Sequence, residues 1–311
     1  MEEFSDKYEL IIVGGGPAGA SAAIYAARKK IGTLILTKDI GGQSTDAAEI
    51  QNWLGIRSIS GGEFSKMIRE HVGSYTQGTL DLKEDEYVTE INKEDDNKFT
   101  IKTKNGGVFV GQAVLVATGG KRKKLNVPGA KEFEHKGITY CATCDAPMFS
   151  DRDVAVIGGG NAGLGAALQL LKYAQSVTVL EYQEQLAADS IRIEEFLKSE
   201  KAKVIKNAEV TKVEGDKMVT ALFYKDRKNE EEKKLNVSGV FVEIGMEPAI
   251  ELIQGLLETD SRGYIKVDHR NQQTSLKGIW AAGDCTDSLY KQNIIAAGDG
   301  AKAVENIYMN L

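Results

Sequence analysis

Leu10-Ile11-Ile12-Val13-Gly14-Gly15-Gly16-Pro17-Ala18-Gly19 is the stretch whose reading decides the fold. Its first four residues are aliphatic and read as a buried strand. Gly14, Gly16 and Gly19 then set a GxGxxG turn. Ala20–Lys30 is rich in alanine, carries basic residues in its last turn and reads as a helix. Thr33–Leu36 reads as a second strand. Strand, glycine turn, helix and strand make a βαβ unit that offers bare backbone N–H groups and a helix N-terminus to a pyrophosphate. Glycine is needed because a Cβ would block that approach.

The same order returns 144 residues later, since 158 − 14 = 144. Val154–Ile157 is a strand, Gly158-Gly159-Gly160-Asn161-Ala162-Gly163 the turn, Leu164–Tyr173 a helix, and Val177–Leu180 a strand ending at Glu181. One such fingerprint is weak evidence; two in matched settings predict an α/β chain of two Rossmann-like dinucleotide-binding domains. Phe99–Thr103 and Val108–Val110 form a hairpin pattern around Asn105-Gly106-Gly107, and Ala221–Tyr224 with Leu235–Val237 form another. The charge run between the latter strands, Lys225–Lys234, is expected to be a solvated loop. Gly239–Ile244 and Ile279–Ala282 are buried-strand patterns, and the last helix is expected at about Ile294–Asn310. Val114–Ala117 entering Thr118-Gly119-Gly120 echoes Val240–Ile244 entering Gly245-Met246. Glycine-rich joints at both places put crossings near Gly119–Lys121 and Gly245–Pro248. The second fold is therefore expected inside the first: residues 1–118 and 246–311 form one domain and 119–245 the other.

A chain of 311 residues suits about two domains of roughly 150 residues. With 33 Gly, 4 Pro and 42% hydrophobic residues, it favours nucleotide-binding turns over disorder. A net charge of −6 gives no electrostatic reason to expect nucleic acid. The first ten residues hold no apolar signal-peptide core, and no run approaches the ~20 apolar residues of a membrane span. A cytoplasmic protein with no membrane partner is expected.

Cys141-Ala142-Thr143-Cys144-Asp145 contains the only CxxC pair. Zinc would need further ligands, and the three His (His71, His135, His269) are scattered, so no metal is expected. A buried structural pair is the plain alternative. A redox dithiol accounts for more: the pair can close a small ring, and either thiolate can attack a partner disulfide. Asp145 can carry the accompanying proton, or it can cap the next turn. The first fingerprint suits FAD, although Thr37 and Lys38 stand where an acid usually holds the ribose, with Asp39 just beyond. The second strand of the later fold does end in an acid, Glu181, 181 − 158 = 23 residues past its first glycine. A carboxylate there accepts both ribose hydroxyls of NADH and repels a 2′-phosphate. Tyr182-Gln183-Glu184-Gln185 adds no cation, which favours NADH over NADPH. Cys285 lacks a sequence partner and reads as a small buried residue near the flavin.

These residues resemble the low-molecular-weight thioredoxin reductases, homodimeric FAD flavoproteins with two dinucleotide folds. The carriers are Gly14–Gly19, Gly41-Gly42-Gln43, Glu49-Ile50-Gln51-Asn52-Trp53, Ala117-Thr118-Gly119, Cys141–Asp145, Gly158–Gly163, Gly283-Asp284, Tyr290-Lys291-Gln292 and Ala296-Ala297-Gly298-Asp299-Gly300. The resemblance implies that Gly14, Gly16, Pro17, Ala18, Gly19, Gly41, Gly42, Gln43, Asn52, Ala117, Thr118, Gly119, Gly283, Asp284, Lys291, Gln292 and Asn293 line FAD, with Asp284 at the ribitol and Gln292 near the ring. Gly158, Gly160, Asn161, Ala162, Gly163 and Glu181 would hold NADH. Cys144 would face the flavin, Cys141 would attack the protein substrate, and Asp145 would be the acid–base group. The family also rotates its nucleotide domain to serve both half-reactions. In one respect the chain departs from thioredoxin reductases: Glu181-Tyr182-Gln183, followed by Ala187-Ala188, replaces their basic His-Arg-Arg run. There it is closer to the reductase part of the alkyl hydroperoxide reductase flavoprotein, which uses NADH and has an extra N-terminal pair of thioredoxin-like domains, expected to be absent here. Ala146-Pro147 also replaces the Gly-Phe that commonly follows the dithiol motif. The expected activity is electron transfer from NADH through FAD and the dithiol to a thioredoxin- or glutaredoxin-like protein disulfide. The alternatives are a flavin-dependent NADH oxidase or ferredoxin-type reductase, and a non-catalytic redox sensor.

Overall fold

The computed structural model describes residues 7–47, 49–95, 98–253 and 255–311. The chain divides into two units, one made of the residues up to Lys121 with Glu247–Leu311, the other of Arg122–Met246.

The first unit begins with β1 (Lys7–Gly15), α1 (Pro17–Arg28), β2 (Thr33–Ile40), α2 (Gly61–Gly73) and β3 (Leu80–Lys83). β4 (Val88–Asp95), β5 (Lys98–Thr103) and β6 (Val108–Val116) follow. The parallel ladder runs β3-β2-β1-β6, and β17 (Ile279–Ala281) joins the second half of β6, again parallel. The expected hairpin forms, with β5 and β4 continuing antiparallel from the first half of β6. Both faces of β1 are buried, as a central parallel strand requires. Leu10 and Ile12 enter one core, Ile11 and Val13 the other, following the two-residue period of a strand. The first core is closed by α1 and by α6 (Asn293–Tyr308). Small residues at the contact (Ala20, Ala22, Ala23 and Ala26 from α1, Ala303 from α6) let these helices lie close to each other and to the sheet. A capping box between Ser60 and Glu63 starts α2.

The chain crosses between units through β7 (Gly120–Arg122) and β16 (Met246–Pro248), which pair with each other. The second unit contains β8 (Ile138–Thr139), α3 (Ala142–Asp145), β9 (Asp153–Ile157), α4 (Asn161–Leu170), β10 (Ser176–Glu181), α5 (Ser190–Leu197), β11 (Ala202–Lys206) and β15 (Gly239–Val242). Its parallel sheet has the order β11-β10-β9-β15-β8. A separate antiparallel sheet, β12 (Ala208–Gly215), β13 (Val219–Asp226) and β14 (Glu231–Asn236), is inserted before β15.

Two expectations need correction. Both fingerprint helices start three residues early, at Pro17 rather than Ala20 and at Asn161 rather than Leu164. The last residues of each GxGxxG are already the first helical turn; Pro17 suits it because its missing N–H lies where the helix has no acceptor. The charge run Lys225–Lys234 is also not a loop. It continues β13 and β14, and only Arg227–Glu230 turns. One face of β13 is anchored in the core by Val219, Leu222 and Tyr224, and the charges occupy ladder positions outside it, where Lys233 and Asp226 pair at 2.9 Å.

A Cβ built on Gly19 would lie 1.9 Å from the carbonyl oxygen of Gly14, whereas one on Gly62 in α2 meets nothing within 4 Å. Gly19→Ala is expected to cost roughly 2–4 kcal/mol and Gly62→Ala to be neutral or stabilising by up to about 1 kcal/mol. Paired thermal melts check this; equal midpoints for the two variants would contradict it.

Candidate functional site

At the first fingerprint the outer glycines are locked and the middle one is open. A Cβ on Gly14 (φ +111°) would sit 2.3 Å from the Ala117 oxygen, and one on Gly19 would strike the Gly14 oxygen, but one on Gly16 meets nothing within 4 Å. Gly42 stands over Gly16, its Cβ position 3.3 Å from the Gly16 Cα. Gly283 and Gly300 close on Ala18, where Cβ atoms would lie 3.0 Å from the Ala18 Cβ and 2.0 Å from its oxygen. Gly16 gives α1 no side-chain cap, and the first turn closes with Ala20 N–H donating to the Gly16 oxygen at 2.9 Å. The amides of Ala18 and Gly19 therefore have no helical acceptor and can receive an anion.

Tertiary structure gathers the other expected residues in this unit. Asn52 Nδ2 donates to Gln292 Oε1 at 2.9 Å across 240 residues of sequence. Ser44 Oγ donates to Asn293 Oδ1 at 3.0 Å, Thr118 Oγ1 to the Ala249 oxygen at 2.6 Å, Gln43 Nε2 to the Gly120 oxygen, and Lys291 Nζ to the Thr286 oxygen. Burial holds Asp284 above the usual carboxylate range, with nearby Asp299 adding to the effect and Lys291 opposing it. Burial also lowers Lys291, so the pair does not offset its own desolvation. Cys285 is fully buried, within 3.5 Å of the Val116 oxygen, and burial pushes its thiol up to about 11. It packs as a neutral residue.

Near the end of β2, Thr37 stands where a ribose-binding acid is usual. Thr37 is buried against the fingerprint, 2.6 Å from where a Gly15 Cβ would lie, and its hydroxyl donates to the Asp39 oxygen at 2.7 Å. An acid arrives instead from the loop between β3 and β4. Glu86 N–H donates to the Thr37 oxygen at 3.0 Å, and Glu86 Oε2 is buried with no hydrogen-bond partner among the described residues. A buried carboxylate oxygen left unpaired is costly, and a ribose hydroxyl would satisfy it. The sequence held a signal for this, the acidic run Glu84-Asp85-Glu86 just after β3, the parallel neighbour of β2. The open face at Gly16, the free amides of α1 and the orphaned oxygen of Glu86 together fit an FAD dinucleotide.

The second fingerprint repeats the first. Cβ atoms on Gly158 and Gly163 would lie 2.2 Å from the Glu243 oxygen and 1.9 Å from the Gly158 oxygen, while one on Gly160 meets nothing within 4 Å. Glu181, 8% exposed at the end of β10, is pinned by backbone: Oε2 accepts from Gly159 N–H and Oε1 from Gln183 N–H, both at 2.7 Å. Each oxygen retains a lone pair for a further donor. Asn161 Oδ1 accepts from Asp189 N–H at 2.8 Å, and Ala162 is exposed in the first turn of α4.

Cys141 and Cys144 are joined as a disulfide. Cys141 caps α3, its Sγ accepting from Cys144 N–H at 3.2 Å. Thr139, at the end of β8, ties the loop to the acid: Oγ1 accepts from Cys141 N–H at 3.2 Å and donates to Asp145 Oδ2. Asp145 makes no side-chain cap to the following turn. Its carboxylate is held toward the dithiol through Thr139, a link that no sequence pattern announced. Cys144 is exposed and Cys141 partly buried.

Residues 8–301 match the family model for pyridine nucleotide-disulphide oxidoreductases, and the chain belongs to that family. It is 41% identical over 97% of its length to a Bacillus subtilis protein named NADH dehydrogenase, of which it covers 58%. It is 40% identical over 98% of its length to a Staphylococcus aureus protein named as a component of alkyl hydroperoxide reductase, of which it covers 60%. The chain thus spans less than two thirds of these relatives. Among solved structures, Lactococcus lactis thioredoxin reductase superimposes with a TM-score of 0.93 at 33% identity, covering 97% of this chain and 98% of that one. T. acidophilum thioredoxin reductase gives 0.91 at 37%, covering 98% of each. The chain is a flavoprotein oxidoreductase with the thioredoxin reductase fold; its family uses FAD and a nicotinamide nucleotide. No helix among the described residues is long and apolar enough to cross a membrane.

A raised Asp284 means that this carboxyl keeps its proton to higher pH in the folded, flavin-free chain than in the unfolded one. Its stability contribution is lost as pH rises from 3.8 through the raised value. Asp284→Asn is therefore expected to raise the melting temperature of flavin-stripped protein at pH 7 and to weaken flavin retention. An unchanged or lower midpoint would contradict this.

Proposed function

We propose that this oxidoreductase carries electrons from NADH, in preference to NADPH, through FAD to the Cys141–Cys144 pair and on to the disulfide of a thioredoxin- or glutaredoxin-like protein. The observation that carries the reading is the closed dithiol with Asp145 tethered beside it through Thr139. FAD, when bound, accepts a hydride from the nicotinamide and hands an electron pair to a disulfide. In this reading the first unit, with Gly14–Gly19, Gly41–Gln43, Asn52, Thr118-Gly119, Asp284 and Lys291–Asn293, holds FAD; Glu86 takes the adenosine ribose.

The second unit holds NADH, with the α4 amides at the pyrophosphate and Glu181 on the ribose hydroxyls. The chain's own chemistry is thiol–disulfide exchange. The Cys141 thiolate attacks one sulfur of the partner disulfide, forming a mixed disulfide and expelling the other partner sulfur as thiolate. The Cys144 thiolate then attacks Cys141 Sγ, closing the ring and releasing the second partner thiolate. The dithiol is oxidised, the partner reduced, and Asp145 relays the proton taken up with each electron pair. An amide hydrogen on Cys141 Sγ stabilises negative charge there during attack and departure. The working form is read as a homodimer.

A second reading sends electrons from the flavin straight to a small acceptor, and the name of the Bacillus subtilis relative favours it. Cys141→Ser separates the two. The proposal expects turnover with a thioredoxin-like protein to fall by about a hundredfold or more while NADH-driven reduction of ferricyanide persists. Undiminished turnover with the physiological acceptor would favour the second reading. For the nucleotide, kcat/KM is expected to favour NADH by about tenfold or more, and equal or better use of NADPH would contradict the proposal. Glu86→Gln is expected to speed FAD release on dilution severalfold, with unchanged release as the contrary result.

A further inference from the structure

The hairpin turn between β13 and β14 reaches the loop that follows Glu181. The Arg227 guanidinium lies 3.8 Å from the centre of the Tyr182 ring, and Nη1 donates to the Tyr182 carbonyl oxygen at 3.0 Å. Backbone bonds fasten the turn there: Arg227 N–H donates to the Asn207 oxygen at 2.8 Å, and Asn207 N–H to the Gln183 oxygen at 3.1 Å. Lys228 comes with it but is balanced by Glu184 at 3.1 Å. Arg227 is exposed and, among the described residues, pairs with no carboxylate. The segment after β10 has no cation in sequence, yet the fold delivers one from 45 residues away to the residue next to the ribose acid.

That position is where a 2′-phosphate on the adenosine ribose would project, because the acid at the strand end takes the 2′-hydroxyl. A guanidinium held over an aromatic ring, with its remaining donors free, suits a phosphate in geometry and charge. We propose that Arg227 is a latent 2′-phosphate ligand, and that the Glu181 carboxylate alone keeps this site selective for the unphosphorylated nucleotide. The proposal rests on reading the second unit as the NADH site. Nucleotide choice is then set by one fixed negative charge standing against a resident positive one. Removing the negative charge is enough to admit NADPH, with no new basic residue.

The test is calorimetric binding of ADP and of adenosine 2′,5′-bisphosphate to the FAD-loaded full chain. In Glu181→Gln the affinity ratio, bisphosphate over ADP, is expected to rise about tenfold or more, and in Glu181→Gln with Arg227→Gln the rise is expected to vanish. No rise in the first variant, or a rise that survives loss of Arg227, overturns the proposal while leaving ADP binding intact. Should Glu181→Gln fail to fold, Arg227→Glu in the otherwise unaltered chain is expected to lower the same ratio about fivefold or more, and an unchanged ratio overturns the proposal. Failure of the unaltered chain to bind ADP defeats the nucleotide reading itself and the proposal with it.

Discussion

The carbonyl of Gly14 and the bare Cα of Gly19 approach so closely that a Cβ would sit 1.9 Å from the oxygen, and the dinucleotide sites depend on that contact. It forces the helix to begin inside the glycine motif, so the first helical amides face outward instead of being used within the turn. It also leaves the middle glycine with an empty face. Gly158 and Gly163 reproduce the contact at the same 1.9 Å, giving the second unit the same kind of anion cradle. The rest of the first cradle, including Gly42 over Gly16 and Gly283 and Gly300 on Ala18, is packed against the helix turn that this approach creates.

What was legible in the sequence follows from short-range patterning. Leu10–Val13 and Val154–Ile157 are aliphatic at every position because both faces of a central parallel strand are buried, and each meets a glycine turn. The dithiol was legible for the same reason, since its chemistry lies within five consecutive residues. The helix starts were missed because GxGxxG reads as a loop until the backbone shows that its last residues are helical. The extended β13–β14 ladder was missed because exposed strands stabilised by cross-strand charge pairs look like solvated loops. Glu86, Thr139 and Arg227 were missed for a further reason. Glu86 and Arg227 act across a strand neighbour and a hairpin, and Thr139 reaches Asp145 only through the turn from β8 into α3, so no sequence pattern marks these meetings in advance.

Charge in both units is placed where it costs most to leave unanswered. Asp284 is largely withdrawn from solvent with too little compensation from Lys291, and Glu86 keeps an oxygen with no partner among the described residues. Both are strained in a way that a polyhydroxylated ligand relieves. Glu181 is the opposite case. Two backbone amides hold its carboxylate in one orientation, so its charge is fixed in place. Asp145 is likewise oriented by Thr139, whose hydroxyl links the acid to the backbone of Cys141. The chain thus combines ligand-dependent sites in one unit with pre-positioned acids in the other.

The central claim is that the dithiol is an electron acceptor in series with the flavin. Anaerobic titration of the FAD-loaded chain with NADH, following flavin absorbance and free thiols together, tests it most directly. The unaltered chain should take up about two equivalents of NADH per flavin and gain two thiols, and Cys141→Ser about one equivalent with none. One equivalent in both proteins, with no thiols appearing, would contradict the account.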